Sequence, residues 1–154
     1  MFVFAIVSAE DRLIYSANLT SDESTPAHLA EFIIYAALDA VDRVKTTSND
    51  AYLRVVDRFN ESSLLVSAFL TVSGVRLLLL HRQAAEEVIR IFFQEVYLLS
   101  LRDLPVSSVS FDTQVRDLAH KLLLLISLSF VLIDLSLTNL VQHNKHYTIS
   151  ASPL

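Results

Sequence analysis

Two pairs of acids and one pair of histidines are spaced so that they could do chemistry together. Asp39 and Asp42 lie three residues apart, one helical turn, where two carboxylates could face one site. Glu86 and Glu87 are adjacent, and His143 and His146 stand at a spacing that suits a metal ion on a helix. None of these groupings completes a site. Acid–base catalysis also needs a pocket that shifts a pKa, and nothing in the sequence marks one. Glu86 and Glu87 fall where a helix begins, and acids there are favoured by the helix dipole. His143 and His146 have no carboxylate near them and lie in a polar segment, so they read as solvated. His81 ends an apolar run and reads as a strand-end polar residue. Gly74 is the only glycine, which excludes phosphate-cradling loops, the dinucleotide fingerprint and a nucleophile elbow. With no cysteine there is no disulfide framework, thiol catalysis or thiolate metal site. The chain therefore reads as a non-enzyme without cofactor or metal, a protein that binds other proteins.

Composition supports a binding role. The 154 residues suggest one domain with a sizeable core. Apolar residues make up 53% and charged residues 19%, against about 45–50% and about 25% in an ordinary soluble domain. That excess needs a second buried surface, in a partner or in lipid. The net charge of −5 provides no basic stripe for a phosphate backbone, so nucleic acid is not an expected partner. Met1 to Val7 is apolar but lacks a basic start, and it reads as a first strand rather than a signal peptide.

The elements that must position any binding surface follow from pattern. Phe2–Ser8 and Leu13–Leu19 form a strand pair around the polar Glu10-Asp11-Arg12. A helix follows, capped by Ser24 or Thr25 with Pro26 in its first position, and runs to about Arg43. Leu29, Phe32, Ile33, Ala36, Ala40 and Val44 define its expected core face. Ile34, Tyr35 and Leu38, among Glu31 and Asp42, form an unusually apolar opposite face. Three strands are expected at Ala51–Phe59, Leu64–Val72 and Val75–His81, with a turn at Ser73-Gly74. A helix over Ala84–Leu101 buries Ile89, Phe92, Phe93, Val96 and Leu99. A loop with Pro105 precedes a third helix that begins near Ser110 and buries Phe111, Val115, Leu118 and Leu122. Runs of strands joined by short turns imply an antiparallel sheet covered by helices. Leu122–Ile133 is apolar except for Ser127 and Ser129 and ends at Asp134. It is too short to span a bilayer, which takes about 20 residues, and reads as a packed or partner-bound helix. Gln142–Leu154 reads as a loose polar tail.

Two stretches resemble the sedlin family, the small subunit of the TRAPP vesicle-tethering complex. One is His28-Leu29, Phe32-Ile33, Ala36-Ala37-Leu38-Asp39 and Val41-Asp42. The other is Val56-Asp57-Arg58-Phe59-Asn60-Glu61, then Val66-Ser67-Ala68-Phe69 and Thr71. Phe92-Phe93, Val96-Tyr97 and Phe111-Asp112 also fall where the family has such residues. The resemblance covers roughly Phe2 to Leu122. It implies an α+β, longin-like (SNARE-like) fold: a five-stranded antiparallel sheet with one helix on one face and two on the other. It also implies an adaptor subunit in an assembly that tethers vesicles between endoplasmic reticulum and Golgi and supports nucleotide exchange on a Rab-type GTPase. Such a protein would be cytoplasmic and peripheral at those membranes, its partners the other subunits. The chain departs from the family at Leu104-Pro105-Val106-Ser107-Ser108, a shorter loop without Asn-Pro-Phe-Tyr, and beyond Leu122.

The resemblance places Asp39 at a family position associated with partner contact. With the apolar outer stripe, this gives an expected docking face of Ile34, Tyr35, Leu38, Asp39 and Asp42. On that reading Leu38→Asp releases the protein from its complex without unfolding it. The chain then divides into a longin-like domain over 1–122, an apolar helical extension over 123–141 and a flexible tail over 142–154. The competing reading is a longin-type regulatory domain of a membrane-fusion protein, with the apolar segment as a membrane-associated anchor.

Overall fold

The computed structural model describes residues 1–20, 26–59, 63–82, 85–102 and 108–149, without the side chains of 27, 129–130 and 133–149. The elements run β1 (Phe2–Val7), β2 (Leu13–Asn18), α1 (Ala27–Lys45), β3 (Tyr52–Phe59), β4 (Leu64–Leu70), β5 (Arg76–His81), α2 (Glu86–Arg102) and α3 (Val109–Ile149). The five strands form one sheet in the order β2-β1-β5-β4-β3, with every neighbouring pair antiparallel. The hairpin β1–β2 and the meander β3–β4–β5 are thus joined in the middle, where β5 returns beside β1.

The mainly apolar runs of β1, β4 and β5, broken only by Ser67 and by Arg76 and His81 at the ends of β5, have a simple cause: both faces of the sheet centre are covered. Successive side chains of a strand point to opposite faces. Phe2, Phe4 and Ile6 join Leu77, Leu79 and Phe69 under α2 and α3. Val3, Ala5 and Val7 join Leu78, Leu80 and Val66 under α1. The edge strands differ. β2 is largely exposed, and β3 carries Arg54, Asp57 and Arg58 and two breaks in register against β4. Charge and bulging are the usual protection of a free sheet edge.

The α2/α3 layer is aromatic. Phe4 meets Phe92 edge-on at 5.4 Å, and Phe111 meets Tyr15 in the same manner at 5.4 Å. Such pairs add about 1 kcal/mol each beyond the area they bury. The expected face of α2 is buried at Ile89, Phe92, Phe93 and Val96, with Leu99 partly covered. Gly74 closes the β4–β5 turn with φ +83°, its N–H donating to the Thr71 carbonyl. A Cβ there would also lie 3.2 Å from that of Ala9, so the turn requires glycine for both conformation and space.

Helix boundaries depart from expectation in physical detail. Pro26 has ψ 140° and is the residue before α1, not its first helical residue; its carbonyl accepts the Leu29 and Ala30 N–H groups. The expected caps Ser24 and Thr25 lie outside the described residues. Ser108, not Ser110, caps α3: its Oγ accepts the Phe111 N–H at 3.1 Å. α3 crosses the expected boundary after Leu122 without a break and continues helical through Gln142 as far as Ile149. No glycine or proline occurs from Val109 to Ile149 to stop it.

α3 is pinned to the edge strand β2 by a polar contact. The Tyr15 hydroxyl donates to Asp112 Oδ1 at 2.6 Å, and Arg116 donates to Asp112 Oδ2 at 2.8 Å and to the Asn18 carbonyl at 3.1 Å. The Arg116 bond first, and the Tyr15 bond second, hold the Asp112 carboxyl below the usual carboxylate value. Burial, and then the bond to Asp112, push the Tyr15 phenol up. Because the folded pKa of Asp112 lies below its unfolded value, its contribution is complete above the unfolded value. It is lost as pH falls through the folded one. Asp112→Asn should therefore cost no more than about 1 kcal/mol at neutral pH, since the pair is partly solvated. It should also flatten the acid limb of stability below about pH 4. Urea unfolding of both proteins across pH 2 to 7 measures this; an unchanged acid limb contradicts it.

Candidate partner-binding surface

α1 lies on the sheet through a row of residues at i, i+3, i+4 spacing. Ala30, Ile33, Ile34, Ala37, Leu38 and Val41 are all buried in the layer against β3, β5 and β4, with side chains of β1 in the same cluster. The alanines at the centre, with Ala5 and Ala68 beneath, leave room for the helix to sit close to the sheet. This fixes which face turns outward, and it is not the face expected from sequence.

Ile34 is 1% exposed and Leu38 7%, so both belong to the core. They are not part of a docking face, contrary to expectation: they form the flank of α1 that seals the sheet. Conversely Phe32, expected in the core, is 61% exposed, and Ala36 is also exposed. The helix is rotated relative to expectation. The row beginning at Ala30 keeps the helical spacing over three turns, and that continuity was the available signal for Phe32 as a surface residue.

Three residues make the outward stripe: Phe32, Tyr35 (41% exposed) and Asp39. They stand at i, i+3 and i+7 and so share one face. Two large rings and a carboxylate on the solvated face of α1 offer apolar area with one anionic anchor. Exposed aromatics are costly to leave in water and are enriched where proteins meet.

Asp42 has a second tie. Its Oδ1 lies 3.6 Å from Arg76 Nη1, while Asp11 Oδ1 meets Arg76 Nη2 at 2.6 Å. The same Nη2 donates to the carbonyls of Ser8 and Ala9, each at 3.1 Å. Arg76 is buried at the start of β5. Its Nε is buried without a hydrogen-bond partner among the described residues, so the charge is answered through Nη1 and Nη2, and Asp42 helps to hold α1, β5 and the β1–β2 turn together.

The structure also brings together a serine and a histidine that the sequence reading had not joined. Ser67 Oγ lies 2.8 Å from His81 Nε2, diagonally across β4 and β5. A serine within reach of an imidazole is the beginning of a nucleophile. Here both are buried with no exposed surface, in the layer beneath α2, and Phe2 stacks on the histidine ring at 6.3 Å. No substrate reaches the pair in this arrangement, which reads as a satisfied polar contact in the core. Glu86 and Glu87 do open α2 as expected, with Glu87 pairing to Arg90 at 2.8 Å. His143 and His146 lie on α3, their side chains outside the described residues.

A five-stranded antiparallel sheet in this order, with one helix on one face and two on the other, is the longin-like class of α+β fold. A sequence model of sedlin matches residues 6–121, and the chain belongs to the sedlin family. It is similar to the transport protein particle 20 kDa subunit of Schizosaccharomyces pombe, 34% identical over 77% of this chain and 96% of that one. A probable trafficking protein particle complex subunit 2 of Caenorhabditis elegans is 40% identical over 62% of this chain and 71% of its own. The trafficking protein particle complex subunit 20 of Saccharomyces cerevisiae is 26% identical over 77% of this chain and 95% of its own.

The corrected face changes what one substitution does. Leu38→Asp buries an unpaired charge beneath α1 and should destabilise the fold by about 3 kcal/mol or more. Phe32→Ser should leave stability within about 0.5 kcal/mol of wild type. Thermal unfolding of the two variants decides between the faces; equal melting temperatures would restore the original assignment.

Proposed function

We propose that this protein is a non-catalytic adaptor subunit of a transport-protein-particle complex, contacting neighbouring subunits through Phe32, Tyr35 and Asp39 of α1. Family membership supports the class of assembly. The observation that carries the docking role is the aromatic stripe, left outward by a helix whose opposite face is committed to the core. Asp39 lies within Ala36-Ala37-Leu38-Asp39, the segment that most resembles the family.

On this reading the complex tethers vesicles passing between endoplasmic reticulum and Golgi, and this subunit supports nucleotide exchange on a Rab-type GTPase without performing it. The protein acts from the cytoplasm and meets those membranes peripherally, through the complex. Among the described residues no helix is long and apolar enough to cross a membrane. Asp42 contributes indirectly, by holding the end of α1 on Arg76.

Affinity purification of the tagged full-length chain, followed by mass spectrometry, tests the proposal. Wild type should recover several small α/β subunits together with larger ones. Tyr35→Ala with Asp39→Lys should reduce that recovery at least about tenfold, the usual consequence of losing an aromatic anchor and its charged neighbour. Its melting temperature should remain that of wild type. Full recovery by the double variant would place the docking surface elsewhere, and failure of wild type to recover any such subunit would remove the adaptor role.

A further inference from the structure

A groove of about 300 Å³ runs between α2 and α3, on the side of the molecule away from the α1 stripe. Phe92 and Leu122 lie at its base, Ile91 and Leu125 on its walls, and Glu95 and Lys121 bring one charge of each sign, one from each helix. Neither Glu95 nor Lys121 has an ion-pair partner among the described residues. The apolar surface continues in both directions. Leu98 and Leu101 of α2 are more than half exposed, and so are Leu128 and Leu132 of α3. On α3, positions 118, 121, 125, 128 and 132 repeat at alternate steps of three and four, the spacing of a helix-pairing seam.

We infer that this face pairs with a second copy of the chain, through a two-fold interface in which the α3 of each copy lies along the α2/α3 groove of the other. Three observations select that occupant. First, the two charges are self-complementary. A two-fold axis near them sets Lys121 of each copy against Glu95 of the other, and a like-charged rim would have opposed this. Second, the same axis carries Leu128 and Leu132 of each copy over Leu98 and Leu101 of the other, so the exposed leucines of both helices are covered at once. Third, lipid is a poor alternative. The apolar run from Leu122 to Ile133 is about 18 Å long as a helix, against about 30 Å of hydrocarbon. An interfacial helix needs a basic polar face, whereas Leu122–Val141 has Asp134 as its single charge and the chain is net −5. The pairing helix extends past residue 121, where the family match ends, so this interface is separate from the α1 docking stripe.

The test is sedimentation velocity of the purified full-length chain over a concentration series, with two variants. Wild type should be a dimer. Leu128→Asp replaces an exposed side chain, so its melting temperature should match wild type while the dimer dissociation constant rises about a hundredfold. Lys121→Glu places acid against acid and should weaken the dimer about tenfold. Adding Glu95→Lys to it re-forms the pair with signs exchanged and should return the constant to within about threefold of wild type. A monomeric wild type, a dimer indifferent to Leu128→Asp, or failure of the exchange to restore pairing would each overturn the inference. So would a monomer that floats with phosphatidylcholine–phosphatidylserine vesicles and loses that binding with Leu128→Asp, which would assign the stripe to a membrane.

Discussion

Phe4 and Ala5 are neighbours in sequence, both are fully buried, and they belong to different cores. That is the constraint on which this fold rests: the sheet centre has solvent on neither side. A strand in that position cannot alternate apolar with polar, because both alternations point into protein. β1, β4 and β5 therefore read as nearly continuous apolar runs, with Ser67, Arg76 and His81 as buried exceptions, and the edge strands vary more. The two layers are filled differently. Beneath α2 and α3 the sheet supplies Phe2, Phe4 and Phe69 to Phe92, Phe93 and Phe111. Beneath α1 it supplies Val3, Ala5 and Ala68 to Ala30 and Ala37. A thick aromatic layer suits a pair of helices, and a thin one suits a single helix lying close to the strands.

Apolar packing alone would leave these layers free to slide, since it is non-directional. Two charged contacts at opposite faces supply direction. Arg76 gathers Asp11, Asp42 and two carbonyls of the β1–β2 turn at the end of the sheet. Asp112 gathers Tyr15 and Arg116 where α3 passes β2. The first joins α1 to the hairpin, and the second joins α3 to the same hairpin from the other side. Each is a long-range link in sequence, and each fixes the lateral position of a helix whose outward residues are then determined. The α1 stripe is a consequence of that placement as much as of its own composition.

The order of elements was legible because the signals were local. Apolar runs bounded by Glu10-Asp11-Arg12 and by Ser73-Gly74 gave the strands to within a residue or two, and helical spacing gave Ile89, Phe92, Phe93 and Val96. The outward face of α1 was not legible in the same way. Its residues are apolar on several sides, so two rotations fit the periodicity. The choice between them depended on what the sheet presents: the small residues Ala5 and Ala68 in the layer with Ala30 and Ala37. Helical spacing counted from Leu29 placed Phe32 inside; the thin layer required alanines there. The Ser67–His81 pair was hidden for a related reason. It depends on the register of β4 against β5, which a strand pattern does not specify. Arg76 was not singled out, because its acidic partners Asp11 and Asp42 lie far away in sequence.

α3 has the opposite problem. Over its first four turns it has an inner row, Phe111, Val115, Ala119 and Leu122, and an outer surface with Arg116, Asp117 and His120. After Lys121 that distinction is lost. Leu122 and Ile126 still face inward, but Leu124, Leu125, Leu128, Val131 and Leu132 are all exposed. A helix that is apolar on every side is stable in water only when something covers it. The sheet cannot, because its faces are already occupied by α1 on one side and by α2 with the earlier turns of α3 on the other. Among the described residues nothing covers Leu124, Leu125, Leu128, Val131 and Leu132; on the inferred pairing a second copy does. The opposite charges at Lys121 and Glu95 mark where a regular partner would be held in register, since leucines alone would not fix one helix against another.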